Sequence, residues 1–145
     1  MKRQYLPELP ELIDKLSIVT LKSIKLGCCN PEKKKAFELE ANMIMNDINL
    51  ILKDKIKNIN HLGKFLRAVQ INMLSNETIW SNESDARKEG YNDGHKLLFT
   101  HSVNGIRMRA GNAMVAQLGG RKDLNIDRVN DKISEERGYD WNDLF

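Results

Sequence analysis

Between residues 8 and 118 the aliphatic side chains recur mainly at intervals of three and four. That period is the helical one, so every buried face in this stretch has to be presented by a helix. No apolar run approaches the roughly 20 residues of a membrane span. The chain therefore has to hide its apolar stripes by packing helices on one another.

Four such stripes can be traced. The first helix is predicted over residues 8–26, with Leu9, Leu12, Ile13, Leu16, Val19 and Ile24 facing inward. Pro7 and Pro10 suit its lead-in and first turn, and Gly27 stops it. A second helix opens at Asn30-Pro31-Glu32, a capping residue followed by proline. Its inward line is Phe37, Ala41, Ile44, Ile48, Ile51, Leu52, Ile56 and Ile59. The third covers residues 62–89 and begins with Leu62, Phe65, Leu66, Val69 and Met73 as core. "GYNDG" at 90–94 is a turn signal. The fourth covers residues 95–118, along Phe99, Val103, Ile106, Ala110, Ala113, Met114 and Gln117. Gly105 and Gly111 inside it suggest close helix contact. A short fifth helix is predicted over 126–137, followed by the aromatic end "GYDWNDLF". The expected fold class is all-α, a single domain over 1–145: a bundle of four main amphipathic helices plus a short C-terminal helix.

Composition narrows the function classes. Net charge is +3, from 23 basic and 20 acidic residues, too small an excess to argue for nucleic acid on electrostatics alone. With no membrane span and no signal-peptide pattern at the start, a cytoplasmic location is expected. The only cysteines, Cys28 and Cys29, are adjacent and read as a reduced pair in a helix-terminal loop. Asparagine, lysine and isoleucine are abundant, and their AT-rich codons suit a phage or a low-GC bacterium.

The third stripe then changes character. Asn76, Trp80, Glu83 and Arg87 follow at steps of four, three and four. A stripe that starts aliphatic continues as amide, indole, carboxylate and guanidinium. Buried charges need partners, because desolvating a lone one costs several kcal/mol. Glu83 and Arg87 can pair with each other, but one carboxylate cannot occupy all five donors of an arginine. The fourth helix offers His101, Asn104 and Arg107, with Asn112 beyond them. The first offers Asp14, Lys15, Ser17 and Lys22. Two readings compete: a closed polar network that fixes helix register, and a polar pocket with a stacking wall at Trp80. In the second, the ligand-binding set is Lys15, Lys22, Asn76, Trp80, Glu83, Arg87, His101, Asn104 and Arg107, and the ligand is a small anion such as a nucleotide.

The runs "LIDKLSIVTLK" (12–22), "NETIWSNESDAR" (76–87) and "NGIRMRAGN" (104–112) resemble a family of small uncharacterised all-α proteins of bacteria and tailed phages. Its pattern is an LIDKLSI-like first helix, then N-x3-W-x2-E-x3-R, then N-x2-R. Asn76, Trp80, Glu83, Arg87, Asn104 and Arg107 are the matching positions. The resemblance covers under a third of the chain. It implies the all-α fold and the weight of those six positions, and no reaction.

Three functions follow. The leading one is a non-catalytic binding protein, such as a phage protein that sequesters a host signalling nucleotide. The second is an interaction or assembly factor, forming a homodimer or higher oligomer through the off-stripe residues Ile71, Leu74 and Ile79. The third is a Mg²⁺-dependent all-α nucleotide pyrophosphatase, for which Glu8, Glu11 and Asp14 have ligand spacing and Glu38 and Glu40 lie on the next helix. No serine sits in a Gly-rich elbow, and His61, His95 and His101 show no zinc spacing. No catalytic residue, metal site or cofactor is assigned.

Overall fold

The computed structural model describes residues 7–59, 61–88, 90 and 94–119. They form four α-helices: α1 (Leu9–Gly27), α2 (Pro31–Lys55), α3 (Leu62–Lys88) and α4 (Gly94–Leu118), with a 3-10 turn at Ile56–Asn58 between α2 and α3. No strand occurs among the described residues. The fold is an all-α bundle, as expected. The fifth helix at 126–137 lies outside the described residues.

Local chemistry fixes the helix ends. The Glu8 backbone N–H donates to Glu11 Oε2 at 3.2 Å, which occupies one of the free amides at the start of α1. Asn30 Oδ1 accepts from the Lys33 N–H at 3.0 Å, and Pro31 occupies the first turn of α2. Between them Gly27 is buried, and a Cβ there would stand 3.1 Å from Lys34 Cβ. A side chain there would need Lys34 to give way by a few tenths of an ångström, so glycine suits the tight step from α1 to α2.

Helices α1 and α2 pack as one antiparallel pair and α3 and α4 as another, with α1 also touching α3 and α4. Leu12, Val19 and Ile44 fill the first pair, backed by Leu16, Phe37 and Ala41. Ile71, Ile106 and Ala110 fill the second. Leu9, Phe65, Ala68 and Met114 join the two pairs at one end, with Ile48, Ile51 and Leu52 of α2 packed against them. Ile24 and Ile56, expected inward, are exposed. Gly111 is not needed for close approach, since a Cβ there would meet only Pro10 Cβ, at an ordinary 3.9 Å.

The largest departure from the sequence expectation is in α3. Its buried residues are Phe65, Ala68, Ile71, Asn72, Ser75 and Asn76. Leu66 and Met73, expected as core, are 51% and 46% exposed, and Leu62 is exposed with them. One residue is about 100° of helix rotation, so the buried face is turned by about one residue from the apolar stripe. Asn76 lies where the two faces meet. Beyond it the inward line runs through half-buried Ile79, Asn82 and Ala86, while Glu83 and Arg87 are exposed. Asn82 Nδ2 donates to the Lys96 carbonyl at 2.7 Å and to Thr100 Oγ1 at 2.5 Å, tying the far ends of α3 and α4 together.

Candidate functional site

The rotation brings small polar residues of α3 to the centre of the bundle, and α1 and α4 answer with polar groups at the same level. Asn76 is the hub. Its Nδ2 donates to Asp14 Oδ1 at 2.8 Å and to Ser17 Oγ at 2.6 Å, with Asn72 Oδ1 at 3.4 Å. Its Oδ1 accepts from Arg107 Nη1 at 3.3 Å. Asn72 Nδ2 donates to the same Asp14 Oδ1 at 3.1 Å. Arg107 Nη1 also stands 3.7 Å from Asp14 Oδ2. Ser17 Oγ donates back to the Asp14 carbonyl at 2.8 Å, and Ser75 Oγ to the Ile71 carbonyl at 2.7 Å.

The cluster joins three helices through five side chains. Asn72, Asn76 and Ser17 are buried, whereas the Asp14 and Arg107 side chains keep 28% and 29% of their surface. The charges thus sit at the rim, where water screens them, and the neutral amides sit inside. That order avoids most of the cost of a buried ion pair. Each amide–carboxylate bond is charge-assisted and stronger than a neutral one.

The other sequence-derived candidates are spread more widely. Trp80, Asn104 and Lys22 are half-buried, and His101 is exposed. Lys15 leaves the centre to pair with Glu40 of α2 at 3.2 Å, on the surface. Arg87 pairs with Glu83 at 3.4 Å, both exposed, two to three turns beyond the network. Of the nine residues expected around one pocket, Asn76 and Arg107 meet directly. Asp14, Ser17 and Asn72 complete their cluster. The sequence pattern offers Asp14 and Ser17 only as polar neighbours and does not single out Asn72. Their signal was the i, i+3 pair Asp14/Ser17 opposite the i, i+4 pair Asn72/Asn76.

The carboxylates expected to hold Mg²⁺ are otherwise engaged. Glu11 caps α1, Asp14 is in the network and Glu40 holds Lys15. Among the described residues no three His, Cys, Asp or Glu side chains converge as a metal site. None of the described helices is long and apolar enough to cross a membrane.

A second polar tie lies between α1 and α3. Lys25 Nζ donates to Glu77 Oε1 at 2.7 Å, and Ser81 Oγ donates to the same oxygen at 3.1 Å. The lysine hydrogen bond, then the serine one, hold the Glu77 carboxyl below the usual glutamate value. A lowered folded-state pKa stabilises above the unfolded pKa and is lost as pH falls through the folded one. Glu77→Gln should therefore cost less than about 1 kcal/mol at pH 7, the range of exposed pairs. The difference from wild type should vanish in melts at a pH below the lowered pKa, and a constant difference across the acid range would contradict this role.

Compared with family models, curated proteins and solved structures, the chain matches none.

Proposed function

We propose that the protein is a non-catalytic assembly module that associates through the apolar face of α3. The observation that carries this reading is the stripe Leu62, Leu66 and Met73, all exposed and aligned at steps of four and seven, with half-buried Val69 between them. Leu74, 59% exposed, widens it. Such a stripe spans three turns, roughly 16 Å. An apolar stripe at helical spacing is the face a helix uses for packing, and in this chain the partner helices cover the other face. The polar centre supports the same reading, because its amides and carboxylate satisfy one another inside the chain.

The association surface differs from the one expected from sequence. Ile71 is 5% exposed and packed on Ile106 and Ala110, so it is not available. Ile79 is half-buried, and Leu74 remains exposed. A two-fold dimer is the simplest arrangement for a self-complementary stripe. Light scattering at micromolar concentration should give twice the chain mass for wild type and the chain mass for Leu66→Lys/Met73→Lys, with helical content unchanged. A wild-type monomer with no change in the variant would remove the proposal.

One observation favours a second reading, the nucleotide-like anion. The contacts of Arg107 engage only Nη1 among the described residues, and its side chain is 29% exposed. An anion at the bundle surface could take the other donors without breaking the network. Calorimetry with a panel of mono-, di- and cyclic nucleotides tests it: binding abolished in Arg107→Ala would support sequestration of a signalling nucleotide, and no heat with any of them would end it.

A further inference from the structure

The corner between α1 and α2 holds the chain's two thiols in an arrangement that neither the bundle nor the proposed assembly uses. Cys28 and Cys29 are both exposed, and their sulfurs lie 3.4 Å apart. The corner is tied on both sides. The Asn30 N–H reaches the Gly27 carbonyl at 3.3 Å, Asn30 caps α2, and Gly27 is pressed against Lys34. Cys28 Sγ also contacts the Lys25 carbonyl at 3.7 Å. The two sulfurs therefore point the same way from a fixed turn.

A disulfide is a poor use of this geometry. Adjacent Cα atoms are about 3.8 Å apart across a trans peptide, below the usual disulfide range, which starts at roughly 4.4 Å. Cys28 keeps right-handed helical angles, φ −57° and ψ −31°, which closing so small a ring would have to disturb. An atom placed between the sulfurs enlarges the ring by one member and removes the need for a direct S–S bond. Four-coordinate zinc does not fit, because among the described residues no third His, Cys, Asp or Glu converges there. Soft ions that accept two thiolates do fit.

We propose that Cys28 and Cys29 form a chelating dithiol site for trivalent thiophilic metalloids, with monosubstituted arsenic(III) or antimony(III) as the ligand class. With an arsine oxide the step is a condensation. Two As–S bonds replace the As=O bond, the oxygen leaves as water with the two thiol protons, and arsenic stays trivalent. Chelation is favoured because the second sulfur is already within reach when the first has bonded, so the second step is intramolecular.

Phenylarsine oxide is the probe. Wild-type protein should gain one phenylarsenic unit less two hydrogens by intact mass, and lose both titratable thiols. The adduct should resist excess monothiol and be removed by a small dithiol. Cys28→Ser and Cys29→Ser should each bind on the order of 10²-fold more weakly, the usual scale for losing one arm of a two-armed contact. Cys28→Ser/Cys29→Ser should take up none while keeping the wild-type circular dichroism and melting temperature. Two arsenic units per chain, or an adduct that monothiol strips equally from wild type and single variants, would overturn the chelate. Absence of any adduct on the folded wild type would overturn the site.

Discussion

Asn76→Leu should destabilise the protein by about 3 kcal/mol in urea unfolding, with little change in the slope. Leucine fills nearly the same volume but can neither donate nor accept. Asp14 and Ser17 each lose a donor from Asn76, and Arg107 loses the oxygen its Nη1 reaches. The cost comes from polar groups left facing an apolar side chain, and stranding such groups is dearer than the net worth of the bonds. Asp14 keeps the Asn72 amide and partial water access, which limits the loss. A second variant separates mechanism from size effects. Asp14→Leu/Asn76→Leu/Arg107→Leu removes both sides of the main contacts and should recover much of the stability, because replacing all partners by apolar groups is often close to neutral. A single-variant loss below about 0.5 kcal/mol, ordinary for surface positions, would mean that the amide is not a structural hub.

The sequence makes the helices legible because each start and stop has a local cause. Asn30-Pro31 and Gly27 do their work within a few residues, and four stripes with helical period demand a bundle. The orientation of α3 is less legible for a physical reason. Its first half carries apolar residues on two neighbouring faces: Leu62, Leu66, Val69 and Met73 on one, Phe65, Ala68 and Ile71 on the other. Counting apolar residues favours the first face. The second wins because its continuation carries Asn72 and Asn76, which meet Asp14, Ser17 and Arg107 on helices far away in sequence. A polar residue counts against burial until its partner is known, and that partner is non-local. The same cause separates Asn76 and Arg107, which meet in the network, from Glu83 and Arg87, which pair on the surface two to three turns further along. The half of the site that depended on period was readable, and the half that depended on helix rotation was not.

The rotation of α3 makes a sharp pair of predictions about two methionines. Met73 lies on the apolar stripe that the sequence favours, and Met114 lies on α4. In the structure Met114 is 0% exposed, in one cluster with Leu9, Phe65 and Ala68, whereas Met73 is 46% exposed. Met114→Ala removes a side chain at the point where the two helix pairs join. The surrounding helices cannot collapse onto the gap without shifting the Leu9–Phe65 contact level, so the cavity persists. The expected loss is about 2–5 kcal/mol, the range for truncating a buried long aliphatic side chain. Met73→Ala shortens a side chain that already lies against water. In the monomer it should change stability by no more than about 0.5 kcal/mol. If α3 instead packed by its apolar stripe, Met73→Ala would be the costly change. Measured at low protein concentration, where self-association contributes nothing, a loss of 2 kcal/mol or more at Met73 would return α3 to the orientation its apolar pattern suggests. If the proposed dimer forms, the same variant should lose stability relative to wild type at high concentration, so the concentration dependence of the difference tests the α3 interface and its low-concentration limit reports the fold.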